Sequence, residues 1–340
     1  MNSTHIYTSL TRISDLSEKN YSVTKLNKDL WETGDYVACK IIDIGKPSAQ
    51  LELTNGRMRG VMGGEVLIGA LGLRHATLEA TGSWKEVTDD GIMHVLTSGG
   101  LLGKLTSRSM FMSALITIEY LGHLSRNHHK IVMNDFIKPV STKEFNIPVV
   151  LFTGTSMSAG KTTSARIVTK IFKENGLKVL GAKIAGAGRY KDILAIKDVG
   201  ADTIIDFVDA GLPSSICGSG LFKDKMNYLK NRMSHENPDV AVIEIGASPL
   251  EPYNGEIAFQ AIKKHVKCNI LSASDPYAVY GLMKAFNMKP DIVTGISTNT
   301  LGGRELVENL CDVTALNLMD PNTQPDLKRI LNNLLELNLK

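Results

Sequence analysis

One stretch restricts the fold more than any other: "VVLFTGTSMSAGKTTSARI", Val149 to Ile167. An apolar run with no polar alternation meets a loop of small residues, then Gly160-Lys161-Thr162-Thr163. After that, Ala165, Val168 and Phe172 recur on one helical face, with Ile167 and Ile171 beside it, up to Gly176. A strand apolar on both faces needs helices on both sides, which is the condition of a parallel sheet. A glycine-bracketed turn from such a strand into a helix aims successive backbone N–H groups at one point and favours an anion there.

The rest of the C-terminal half repeats this pattern. Strand-length apolar runs occur at Val149 to Thr153, Lys178 to Ile184, Asp239 to Ile245, Cys268 to Ser274, Asp291 to Ser297 and Val313 to Leu318, with helical spacing between them. "DPYAVYGLMKAF" opens with Asp275 as N-cap and Pro276 in the first turn, and a last helix is expected from about Asp326 to Leu337. The N-terminal half follows a different pattern. From Gly34 to Ser109 short β runs are separated by glycines, and Asn55-Gly56 between two alternating runs is a hairpin signal. "FMSALITIEYLGHLSRN" reads as helical spacing and "KIVMNDFIKPVSTKEFNIP" as a linker. The expected fold is α/β: a C-terminal P-loop NTPase with a mostly parallel doubly wound sheet over 146–340, preceded by a smaller β-rich, barrel- or sandwich-like domain over 1–145 with a helical connector after 110.

Composition excludes several classes. A formal charge of +3 without a basic run or a nucleic-acid-binding motif speaks against a nucleic-acid partner. The N-terminus lacks signal-peptide grammar and no run of about 18 apolar residues could span a membrane, so a cytoplasmic protein is expected. Cys39, Cys217, Cys268 and Cys311 are far apart, which predicts reduced thiols rather than a metal or redox pair. His128 and His129 are neighbours with no third ligand at hand, and a solvated turn explains them.

The loop departs from the general P-loop rule by one residue: five residues, not four, separate Gly154 from Gly160, with Thr155 in the place of the first glycine. The chemistry fits nonetheless. Gly154, Thr155, Ser156, Met157, Ser158, Ala159 and Gly160 would cradle phosphates, Lys161 would neutralise β and γ oxygens, and Thr162, followed by Thr163, would complete a Mg²⁺ shell. Such a site takes a carboxylate from another strand end, and "PDVAVIEIGAS" offers Glu244 as metal ligand or water-positioning group; a buried acid without function is the plain alternative. Asp192 in "GRYKDILAIKDVGA" is a second acid near a helix start, where a first-turn Asp is equally ordinary.

These residues resemble dethiobiotin synthetase, whose loop also runs Gly-Thr, four residues, Gly-Lys-Thr, as "GTSMSAGKTT" does here; the likeness covers most of 149–318. It extends to the cobyrinate amidases and to the accessory proteins of molybdopterin guanine dinucleotide. The resemblance implies that Lys183, ending "GLKVLGAKIAG", faces phosphate with a catalytic role beside Lys161 and Glu244. It also implies Asp192 and Glu244 as Mg²⁺ ligands with Thr162, Asn299 of "TGISTNT" facing adenine, and a homodimer. Met157 and Ala187 replace hydroxyls of that family, which argues against diaminopelargonate as substrate. The function expected on this basis is Mg-ATP-dependent activation of a small carboxylate or carbamate by phosphoryl transfer. The alternative is a nucleotide-dependent switch or accessory ATPase or GTPase whose N-terminal domain binds a partner. A third reading is a binding module with a vestigial loop.

Overall fold

The computed structural model describes residues 5–340, which divide into two compact units. The first contains the chain up to Pro139 together with two later segments, Ala187–Lys191 and Phe207–Ile216. The second contains Val140–Gly186, Asp192–Asp206 and Cys217–Lys340. The sequence reading drew a single division at 145/146. Contacts draw it at 139/140 and assign two short segments of the later half to the first unit.

The first unit is built on a ring of five strands: β1 (Tyr36–Asp43), β2 (Val66–Leu71), β3 (Ile92–Thr97), β4 (Leu101–Arg108) and β5 (Thr117–Arg126). β1 pairs β2 and β5, β5 pairs β3, β3 pairs β4, and β4 returns to β2, so the circuit closes. Closure removes the ring's open edges. Its core includes Val37, Cys39, Ile41, Leu67, Met93, Val95, Ile118 and Tyr120. The expected hairpin at Asn55-Gly56 forms between Gln50–Glu52 and Met58–Gly60, with Gly56 at φ 84°.

The helical connector expected after 110 is absent. "ALITIEYLGHLSRN" supplies β5, a ten-residue strand in which Ile118, Tyr120 and Leu124 are buried while Thr117, Glu119 and Ser125 are less so. Period-two burial in a stretch rich in β-branched and aromatic residues outweighed the coincidental helical spacing. His128 lies in the tight turn after β5, with Asn127 and His128 both at positive φ.

The two later segments are tied to each other by backbone, and the first of them to this unit by the side chains of Thr97 and Glu52. Gly188 donates its N–H to Pro213 O at 3.0 Å, and Thr97 Oγ1 donates to Gly188 O at 2.9 Å. Glu52, fully buried, accepts from Ser9 Oγ at 2.7 Å and from the backbone N–H groups of Tyr190 at 2.8 Å and Lys191 at 2.5 Å. Any Cβ at residue 188 would lie 2.5 Å from Leu10 Cδ2, so only glycine fits there.

The second unit is a seven-stranded, all-parallel sheet: β6 (Val149–Gly154), β7 (Val179–Ala185), β8 (Thr203–Asp206), β9 (Val240–Ile245), β10 (Val266–Ser272), β11 (Ile292–Thr294) and β12 (Thr314–Ala315), in the order β8-β7-β9-β6-β10-β11-β12. Seven helices accompany it: α1 (Lys161–Glu174), α2 (Tyr190–Lys197), α3 (Ser219–His235), α4 (Gly255–Ile262), α5 (Pro276–Phe286), α6 (Leu301–Cys311) and α7 (Gln324–Leu335). β6, β7 and β9 are buried at every position, as their unbroken apolar runs require. α1 buries Ala165, Val168, Ile171 and Phe172; the larger of these contribute about 1.5–3 kcal/mol each by leaving water. Asp275 caps α5 by accepting from Ala278 N–H at 2.9 Å.

β8 is not among the apolar runs read from the sequence. Its first two residues are only part-buried and it ends in Asp206, so it lacks the apolar signature of its neighbours. The two strands at the other edge are shorter than expected: β11 stops at Thr294, where Gly295 turns the chain into a 3-10 turn over Ile296–Thr298.

Candidate nucleotide site

The loop after β6 lies at the centre of the sheet, where the carboxyl ends of parallel strands and the first turn of α1 converge. Gly154 is hemmed in by the Lys161 side chain: a Cβ there would lie 2.9 Å from Lys161 Cδ and Nζ. Gly160 adopts φ 107°, a conformation that favours glycine, and starts the helix at Lys161. The loop is further held by Thr155, whose N–H donates to Ser272 O at 3.1 Å and whose Oγ1 accepts from Ser274 N–H at 3.1 Å. On its other flank Gly295, at φ 93°, passes so close to the loop that a Cβ would lie 2.4 Å from Ala159 O.

Lys161 is 2% exposed and folds back over its own loop, donating from Nζ to Ser156 O at 2.6 Å. Burial pulls its pKa down against the opposing pull of Glu244. Thr162 Oγ1 donates to Glu244 Oε2 at 2.9 Å. Strand register supplies the rest of the cluster. On adjacent parallel strands Lys183 of β7 stands level with Glu244 of β9 and with Asp206 of β8, and Lys183 Nζ donates to Asp192 Oδ2 at 2.6 Å. Burial alone would lower the Lys183 pKa; the carboxylates of Asp192, Glu244 and Asp206 reverse this and hold it above its ordinary value. Burial raises the pKa of Glu244, in spite of Lys183 and Lys161. The Lys183 stem runs past Gly246, where a Cβ would lie 2.6 Å from Lys183 Cε.

Lys161, Lys183, Asp192 and Glu244 therefore form one cluster of buried and part-buried charges, with the Thr162 hydroxyl on Glu244. Asn299 lies exposed at the end of the 3-10 turn that follows Gly295. Within the loop Ser156 and Ala159 are buried, Met157 is part-buried, and Ser158 and Thr163 are exposed. Sequence reasoning missed Gly295, Glu251 and Ser272, and placed Asp206 of "IIDFVDAGLPSSICGSG" in a specificity segment or surface loop rather than beside Lys183. Gly295 follows directly on a strand, the position from which it could have been found. Glu251 accepts from Ser248 N–H at 2.7 Å and acts electrostatically on Lys161. Ser272, level with Gly154, buries a hydroxyl that has no hydrogen-bond partner among the described residues.

The donor set suits magnesium: one hydroxyl and two carboxylates, all hard oxygen. Among the described residues no group of three or more His, Cys, Asp or Glu side chains gathers to cage a metal. Also among the described residues, no helix is long and apolar enough to cross a membrane.

No protein-family model matches the chain, and no curated protein matches it in sequence. Among solved structures it is similar to chloroplast FtsY from Physcomitrella patens, at 16% identity over 52% of this chain and 60% of that one, with a TM-score of 0.37. It is also similar to HypB from Helicobacter pylori in complex with nickel, at 17% identity over 56% of this chain and 88% of that one (TM-score 0.38). A third is the signal recognition particle 54 kDa protein from Aeropyrum pernix in complex with GDP, at 16% identity over 58% of this chain and half of that one (TM-score 0.34). The chain thus spans about three fifths of the length of the FtsY structure.

The fold is that of a P-loop NTPase preceded by a β-rich unit. The expectation of an ATP-driven ligase or kinase acting on a small carboxylate is corrected. The solved structures named above are chloroplast FtsY, HypB in complex with nickel and a signal recognition particle protein in complex with GDP.

Proposed function

We propose that the chain is a nucleotide-dependent switch or accessory NTPase. It takes a Mg²⁺-bound purine nucleoside triphosphate on Gly154 to Thr163, and its β-rich unit serves as the module that responds to a partner or ligand. Lys161 and Lys183 bear on the phosphate charge; Thr162, Glu244 and Asp192 offer the oxygens that would hold the ion, and Asn299 is the residue we assign to the base. When bound, Mg²⁺ neutralises charge on the terminal phosphates.

The observation that carries this reading is the placement of Asp192. It sits 2.6 Å from Lys183, and the two residues before it, Tyr190 and Lys191, are held through their backbone N–H groups by Glu52 of the β-rich unit. A shift of that segment necessarily alters the setting of Asp192, the arrangement a switch requires. A thermal-shift titration with MgATP and MgGTP tests the proposal. Triphosphate binding to the native state raises Tm by mass action, by about 2.7 kcal/mol of stability at a hundredfold excess over Kd. If neither nucleotide raises Tm, or if Lys161→Met retains the full rise, the proposal fails.

A further inference from the structure

A cavity of about 240 Å³ lies in the first unit. Val95, Leu96 and Ile116 give it an apolar wall, and Met112 and Leu115 approach from the loop before β5. Its charges come from Lys46, Arg74, Arg189 and Glu79. The single carboxylate is already engaged, since Glu79 is ion-paired with Arg74, and Arg74 Nη1 also donates to Leu96 O at 2.6 Å. Lys46 reaches Ser113 Oγ at 3.4 Å. Arg189 is different: its Nε is buried without a hydrogen-bond partner among the described residues. The same holds for Ser98 Oγ on the same cavity.

Buried donors left without partners cost about 1–3 kcal/mol each, more for a charged group, so two of them on one cavity call for an acceptor that the chain does not provide. The excess of cations makes that acceptor an anion. The apolar lining makes it an anion with a hydrocarbon body, because an inorganic oxyanion would leave the apolar side of the cavity, with Met112, Leu115 and Ile116, facing water. A cavity of about 150 Å³ takes benzene, so this one holds about ten non-hydrogen atoms. We infer that it binds a short organic acid, its carboxylate on Arg189 and Ser98 and its aliphatic part against Met112, Leu115 and Ile116. Arginine suits the task because its planar fork matches a carboxylate.

The test is calorimetric titration of the full chain, without nucleotide, using butyrate, valerate, glutarate and glutamate, with inorganic phosphate at matched ionic strength. At least one organic acid is expected to bind with a Kd below about 1 mM, and Arg189→Gln is expected to weaken it at least about tenfold with an unchanged Tm. Ser98→Ala serves as a second variant and should weaken binding by a smaller factor. No binding by any of the four acids, binding that survives Arg189→Gln undiminished, or phosphate binding tighter than every acid overturns the inference. Because no nucleotide is present, failure here is distinct from failure of the switch proposal.

Discussion

Thr162 Oγ1 donates to Glu244 Oε2 across 2.9 Å, joining the first turn of α1 to the end of β9. These are the hydroxyl and one of the carboxylates that would hold a magnesium ion, and they are in hydrogen-bond contact. Replacing Glu244 by Gln should reduce the Mg²⁺ dependence of nucleotide binding by about tenfold or more, a change of about 1.4 kcal/mol, while nucleotide alone binds as before. Magnesium titrations at fixed nucleotide would measure this; an unchanged midpoint in E244Q would remove Glu244 from the metal site.

The same carboxylate predicts a pH effect. Burial raises the folded-state pKa of Glu244 above its ordinary 4.5, so the native state holds its proton longer than the unfolded chain does. Its contribution to stability is fully present below 4.5 and is lost as pH rises through the raised folded value. Denaturant midpoints of the wild type, compared with E244Q from pH 4 upward, should show a steeper loss in the wild type. Parallel curves would contradict the assignment.

Lys161 is buried and its charge is opposed by burial, so Lys161→Met should leave Tm unchanged or raise it, because an apolar chain of similar length replaces a desolvated ammonium. Triphosphate affinity should fall at least about a hundredfold, roughly 2.7 kcal/mol. A variant that loses stability and affinity together would point to a structural lysine instead.

Lys183 lies among three carboxylates, Asp192, Glu244 and Asp206, and is 4% exposed. Lys183→Met strips those acids of their common counter-ion and is expected to destabilise the fold by about 3–5 kcal/mol. Chemical denaturation reads this directly, and a loss within about 0.5 kcal/mol of zero would show that the acids find other partners.

Glu52→Gln weakens the acceptor of three hydrogen bonds, two of them to the N–H groups that precede Asp192. A cost of about 1–3 kcal/mol in stability is expected. If the switch reading holds, E52Q also changes nucleotide affinity, although Glu52 belongs to the other unit. Glutamine substitution that lowers stability alone would confine Glu52 to a structural role.

Much of the site was legible from residue order, because a P-loop is local: Gly154, Gly160, Lys161 and Thr162 lie within nine consecutive positions and need only a strand before and a helix after. Glu244 was legible for a related reason, as the acid that ends an apolar strand. The strand that sets Asp206 beside Lys183 was not legible, because it lies at the sheet's edge and is only part-buried at its first two residues. Glu52 escaped because its role depends on residues 138 and 139 positions away, a relation no local pattern encodes. The strand Thr117–Arg126 was misread for the opposite reason: its apolar residues fit both periods, and only pairing with β1 and β3 decides between them.

The backbone enters the β-rich unit again at Ala187–Lys191 and Phe207–Ile216. A chain begun at Val140 would therefore contain two tethers bereft of their anchorage, with Val208 and Leu212, now buried, turned to water and the Gly188 carbonyl deprived of Thr97. The first half cannot be pruned away as a bead from a string. Melting should accordingly show a single cooperative transition for the intact chain, and an isolated C-terminal half should be prone to aggregation.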